Sequence, residues 1–113
     1  MNSALTQKHC VACEAGTPPM PIEEAERLMG QVPGWELKSD EQKLVRRFKF
    51  KGFREAMSFV NGVADLAEAE GHHPDMHIFW NRVRLELTTH AIKGLSENDF
   101  VMAAKISELD DRR

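Results

Sequence analysis

Residues 53–70, FREAMSFVNGVADLAEAE, constrain the chain more than any other stretch. Phe53, Ala56, Met57, Val60, Val63, Ala64 and Ala67 recur at intervals of three and four, which lines them along one side of an α-helix. Phe59 and Leu66 widen that stripe beyond what one sheet face would cover, a pattern that also suits self-association. Gly71 ends the helix.

On both sides of this helix the periodicity changes to alternation. Pro33-Gly34 turns the chain into Trp35-Glu36-Leu37-Lys38, Ser39 to Gln42 form a polar turn, and Lys43 to Phe50 alternate again. Leu44, Phe48 and Phe50 fall on one side, Val45, Arg47 and Lys49 on the other, and Arg46 breaks the inward series. After Gly71, His72-His73-Pro74 is a sharp exit, because the residue before a proline is pushed out of the helical region. Ile78-Phe79-Trp80 reads as a short apolar strand and Asn81-Arg82 as a bend. Val83, Leu85, Leu87 and Thr89 then alternate with Arg84, Glu86, Thr88 and His90, whose imidazole falls on the polar parity at the far end.

Two further helices bracket these hairpins. Ile22, Ala25, Leu28 and Met29 repeat behind Pro21, which suits a first turn, and Gly30 is a stop. In the last helix Ser96 and Asp99 have capping-box spacing, Leu95 and Phe100 fit the staple around it, and Met102, Ala103, Ile106 and Leu109 form the buried stripe. The order helix, hairpin, helix, hairpin, helix predicts a two-layer α+β fold, a four-stranded antiparallel sheet with three helices on one face. Residues 1–19, closed by Thr17-Pro18-Pro19, read as a flexible N-terminal tail, and residues 20–113 as a single domain.

Charge and composition exclude several partners. The 15 bases and 18 acids are mixed along the chain for a net charge of −3, without the basic excess a nucleic-acid surface needs. No apolar run approaches the ~20 residues of a membrane-spanning helix. The N-terminal stretch has no apolar signal core, so a cytoplasmic location is expected. Cys10 and Cys13 form a Cys-x-x-Cys with neither a second pair nor a thioredoxin-like context, which reads as reduced thiols on the tail.

Four of the five histidines, His72, His73, His77 and His90, lie between Glu68 and Asp99. Imidazole titrates near neutral pH, so such a cluster can exchange protons or bind a metal. His73 and His77 have the spacing of two helical ligands, yet Pro74 disfavours that helix and no glutamate follows the first histidine. On an extended strand the two would share a face, which leaves a metal open. Acid–base catalysis is the other chemistry, and dehydration is a natural use of paired imidazoles. Neither a Gly-x-Ser-x-Gly elbow nor a glycine-rich phosphate loop occurs. Purely structural roles fit the same residues: His72 and His73 near helix carbonyls, His90 at a solvated strand end, Glu68 on the surface, Asp99 as a cap, Trp35 and Trp80 in the core.

Read together, Glu68, His72-His73-Pro74, Trp80, His90 and Asp99 resemble the signature of the pterin-4a-carbinolamine dehydratase family. Thr88-Thr89-His90, Gly94-Leu95-Ser96 and Trp35 are also similar to that family, and the resemblance runs over about residues 20 to 110. It implies an enzyme, a hydro-lyase that converts 4a-hydroxytetrahydrobiopterin to quinonoid dihydropterin and water. Such a reaction recycles the tetrahydropterin used by aromatic amino acid hydroxylases, to which the protein would be functionally coupled. The resemblance implies His72 and His90 as the acid–base pair and His73 as a pterin-binding partner that aids proton transfer. It casts Glu68 as the group that orients a histidine, Asp99 as the pocket edge, Trp35 as a pocket wall and Trp80 as structural packing. It requires no metal and no cofactor, and it implies a homodimer or homotetramer joined through sheet edges and the long helix. His77 lies outside the signature and reads as a hairpin surface residue. A pterin or protein adaptor of the same fold, with vestigial catalysis, is the alternative class.

Overall fold

The two hairpins join through their second strands into one sheet. The structure, a computed structural model, describes residues 4–12 and 14–112. Its strands are β1 (Glu36–Lys38), β2 (Lys43–Lys49), β3 (Asp75–Phe79) and β4 (Arg82–Leu87), and its helices are α1 (Ile22–Leu28), α2 (Phe53–Glu70) and α3 (Glu97–Asp111). The strand order is β1-β2-β4-β3, with every neighbouring pair antiparallel. This is the predicted α+β arrangement.

Alternation decides what each strand buries. Leu44, Phe48, Phe50, Val83, Leu85 and Leu87 are buried in one cluster with Ala56, Phe59, Val60, Val63 and Ala67 of α2. The Phe59 ring stands 4.7 Å from Phe48 and 5.2 Å from Phe50, centroid to centroid. The opposite parity carries Lys43, Arg47, Lys49, Arg82, Arg84 and Glu86.

Arg46 shares the inward parity and resolves the break it makes in the pattern. Its guanidinium lies 4.7 Å over the Phe48 ring, donates to Ser107 Oγ at 2.9 Å and pairs with Asp110 Oδ2 at 3.3 Å. A long stem can cross apolar surface while its head finds partners on α3.

Three boundaries differ from expectation. Strand β3 starts at Asp75 rather than near Ile78, because the proline before it already sets an extended backbone. Trp80 leaves the strand at φ +50° and is 66% exposed, so it is a hairpin corner and not core packing. Asn81 pins that corner to the end of β2, its Nδ2 donating to the Phe50 carbonyl while its own carbonyl accepts from the Phe50 N–H. His90 is not a strand end; it opens a 3-10 turn, His90–Ile92, beyond β4.

Helix α3 is buried on more than one stripe: Asn98, Asp99, Phe100, Val101, Met102, Ala103, Ala104 and Ile106 are all inside. Part of the cover comes from the stretch read as a flexible tail. Residues 4–7 form a 3-10 turn whose Leu5 is 2% exposed. Lys105 donates to the Thr6 carbonyl, Lys8 pairs with Glu97, and Asn98 bonds both main-chain groups of Val11. Cys13 lies outside the described residues. Shortening Leu5 to Ala is expected to lower the unfolding free energy by about 2–5 kcal/mol, read from urea denaturation. An unchanged midpoint would show that this segment detaches from α3 in solution.

Candidate active site

The site forms where the end of α2 meets the start of α3. Gly71 takes φ +68°, a left-handed conformation that costs glycine little, and both the Gly71 and His72 N–H groups turn back to the Ala67 carbonyl. That turn projects His72 over the first turn of α3. Its Nε2 lies 2.7 Å from Asp99 Oδ1. The second oxygen of Asp99 accepts from Thr89 Oγ1 at 2.8 Å and from the Ser96 N–H at 3.0 Å, which completes the capping box. Asp99 is fully buried. Every contact it makes is with a donor or with a ring nitrogen, and the positive end of the helix dipole adds to them.

Beside this buried pair, His73 Nε2 lies 2.6 Å from Glu68 Oε2, and both side chains are exposed. The two residues are five apart across the helix end, so the turn that aims His72 inward leaves His73 outside with Glu68. His90 reaches the same place from its 3-10 turn, and its ring has no partner among the described residues. His72, His73 and His90 line one open hollow of about 380 Å³, with Thr88, Thr89 and Val11–Ala12 among its other walls.

The structure therefore brings together the three histidines singled out in the sequence, and it moves two of the other residues. Asp99 does not sit at the edge of the hollow; it lies beneath His72, because its carboxylate caps α3 from inside. Trp35 does not line the hollow of its own chain. Its indole is buried edge-on to Phe48 and donates Nε1–H to Ser107 Oγ at 2.9 Å. Ser107 is eight residues along α3 from Asp99, about 12 Å at 1.5 Å per residue. Glu68 pairs with His73 on the exposed side of the helix end.

His77 stands on the outer face of the sheet, 3.6 Å from Glu86 Oε2. Burial works against the Glu86 carboxylate, but hydrogen bonds from Lys43 and Arg84 and the charges of Lys43 and His77 hold its pKa below the ordinary value. Among the described residues no three of His, Cys, Asp or Glu are grouped to hold a metal ion.

Sequence reasoning names Thr89 in the alternation and in Thr88-Thr89-His90 but gives it no role, and it misses Asn98 and the wall made by residues 11–12. Thr89 carries a signal: it shares the inward parity of Val83, Leu85 and Leu87, and a buried hydroxyl must find a partner. Val11 and Ala12 carry none.

Two imidazoles held in different settings around one hollow can divide a proton donation and a proton removal. With Nε2 of His72 committed to Asp99, Nδ1 is the nitrogen left for a bound molecule.

Residues 18–109 match the family model described as pterin 4 alpha carbinolamine dehydratase. The chain belongs to the pterin-4a-carbinolamine dehydratase family. A protein of Methylococcus capsulatus named for that dehydratase is 54% identical over 106 residues, covering 94% of this chain and 93% of its own length. One of Rubrobacter xylanophilus, named likewise, is 51% identical and covers 95% of this chain and 99% of its own. Among solved structures, a transcriptional coactivator/pterin dehydratase from Brucella melitensis superposes with a TM-score of 0.76 at 32% identity, over 80% of this chain and 97% of that one. A pterin dehydratase-like RuBisCO assembly factor of the alpha-carboxysome gives 0.59 at 25% identity, over 67% and 88%. As a member of the dehydratase family the protein is an enzyme of the hydro-lyase class.

Replacing Thr89 by Val leaves Asp99 Oδ2 with the Ser96 N–H alone. The expected cost is about 1–3 kcal/mol of stability, measured by chemical denaturation, while Thr89→Ser retains most of it. A valine variant as stable as its parent would mean that this hydroxyl contributes nothing to holding the buried carboxylate.

Proposed function

We propose that the protein dehydrates a 4a-hydroxytetrahydropterin to the quinonoid dihydropterin, with His72 and His90 as the acid–base pair. The observation that carries this is the meeting of His72, His73 and His90, from two separate elements, in one hollow. One imidazolium gives its proton to the 4a-hydroxyl, the C–O bond breaks and water leaves. The other imidazole, neutral, takes the proton from the ring N–H, and the electron pair freed there forms the C=N bond. One proton is given and one taken, so the reaction is neutral in electrons and the pair is restored by proton exchange.

The remaining roles follow from placement. His73, backed by Glu68 and open to solvent, binds the pterin and assists proton transfer. Asp99 keeps the His72 ring in one orientation from below. Trp35 packs the core and takes no part. In this scheme the substrate comes from an aromatic amino acid hydroxylase in the cytoplasm, and the chain acts as a homodimer or homotetramer. Ile78 and Phe79 on the edge strand β3, Trp80 at the corner after it, and Phe53 on α2 are large apolar side chains left exposed in the single chain, which supports self-association. No helix among the described residues is long and apolar enough to cross a membrane.

The test is to generate the 4a-carbinolamine and follow its loss spectroscopically with and without protein. His72→Ala and His90→Ala are each expected to lower kcat by about 10²–10⁴-fold while the circular dichroism stays unchanged. Equal turnover by both variants and the unaltered protein would overturn the assignment. Saturable pterin binding without turnover would make the protein a binding module instead.

A further inference from the structure

One wall of the hollow comes from a segment that the family match does not reach. The match begins at residue 18, whereas Val11 and Ala12 line the hollow with the histidines. Two buried polar side chains hold this segment down. Asn98, 6% exposed, accepts the Val11 N–H on Oδ1 at 3.0 Å and donates Nδ2–H to the Val11 carbonyl at 2.6 Å. An amide that bonds both main-chain groups of one residue fixes its position as a strand partner would.

Glu70, the last residue of α2, accepts the Cys10 N–H at 2.9 Å and lies 2.9 Å from His9 Nδ1 and 3.5 Å from Lys105 Nζ. Burial opposes its charge, but those hydrogen bonds and the Lys105 ammonium keep its pKa below the ordinary carboxylate value. A hydrogen bond from a main-chain N–H to an ionised carboxylate is roughly twice as strong as a neutral one.

With its backbone tied inward, Val11 keeps an isopropyl group that is 71% exposed. An apolar group left in water at the rim of a polar hollow gains by being covered, and a flat heterocycle in that hollow would cover it.

We propose that residues 9–12 are a strap that forms a substrate wall, with Val11 packing against the pterin ring and Glu70 and Asn98 as positioning residues. This assignment rests on the pterin reading of the hollow and adds a binding residue to it. Val11 has no proton to give and no charge to offer, so its contact is the same for substrate and transition state. Its loss belongs in KM and not in kcat.

The experiment uses the full chain and three variants: Val11→Ala, Glu70→Ala and Glu70→Gln. Steady-state dehydration of the 4a-carbinolamine is measured alongside equilibrium binding of 7,8-dihydrobiopterin, which lacks the leaving hydroxyl. Val11→Ala is expected to raise KM and the dihydrobiopterin Kd by about three- to tenfold with kcat held within about twofold. Glu70→Ala should do the same, and Glu70→Gln, which keeps an acceptor for the Cys10 N–H, should restore most of the affinity. Because Val11 is exposed, its variant keeps the parent's urea midpoint and separates binding from folding. Unmoved KM and Kd in both Ala variants, or a fall in kcat at constant KM, would overturn the strap while leaving the dehydratase reading intact. Absence of turnover with pterin binding that still weakens in the Ala variants would overturn the dehydratase reading and keep the strap. A chain that binds no pterin would overturn both.

Discussion

A carboxylate removed from water costs several kcal/mol unless its oxygens are fully engaged, and Asp99 is engaged from three directions. The Ser96 N–H comes from its own helix, the Thr89 hydroxyl from the segment after β4, and the His72 imidazole from the exit of α2. Losing any one leaves a buried negative charge short of a partner, so the three elements cannot shift independently. The hollow exists because of that constraint. Its histidines sit on a turn and on a short 3-10 segment, which alone would wander, and the shared carboxylate ties the ground beneath them.

Much of this architecture is legible in the chain. The stripe from Phe53 to Ala67 and the alternation from Val83 to Leu87 specify a helix lying on a sheet, since periods of 3.6 and 2 admit little else. The capping box is legible in the Ser96 to Asp99 spacing, and the histidine cluster in its density. What spacing does not show is that a cap carboxylate has two oxygens and that the second faces another element. For that reason Asp99 reads as a pocket edge when it is the pocket's foundation. Trp35 fails differently. A tryptophan at a strand start fits a pocket wall and a core equally well, and its choice depends on Ser107, seventy-two positions later in sequence. Trp80 goes the opposite way, because Pro74 brings β3 forward and leaves residue 80 at the corner.

The segment of residues 4–12 is the least readable of all. Its apolar residues follow neither a helical nor an alternating period, and proline-rich punctuation separates it from the first helix, so pattern assigns it to solvent. Its order comes from groups far along the chain, Glu70 and Asn98, whose side chains satisfy its backbone. Main-chain hydrogen bonds to buried polar side chains carry no periodic signature, and they escape any reading based on hydrophobic pattern.

The sheet has two faces with different obligations. Every contact that builds the hollow lies on the helix side or at its ends, while Lys43, Arg47, His77, Arg84 and Glu86 occupy the reverse and touch none of it. Charge on the reverse side can therefore be exchanged, residue by residue, without disturbing the hollow housed behind it.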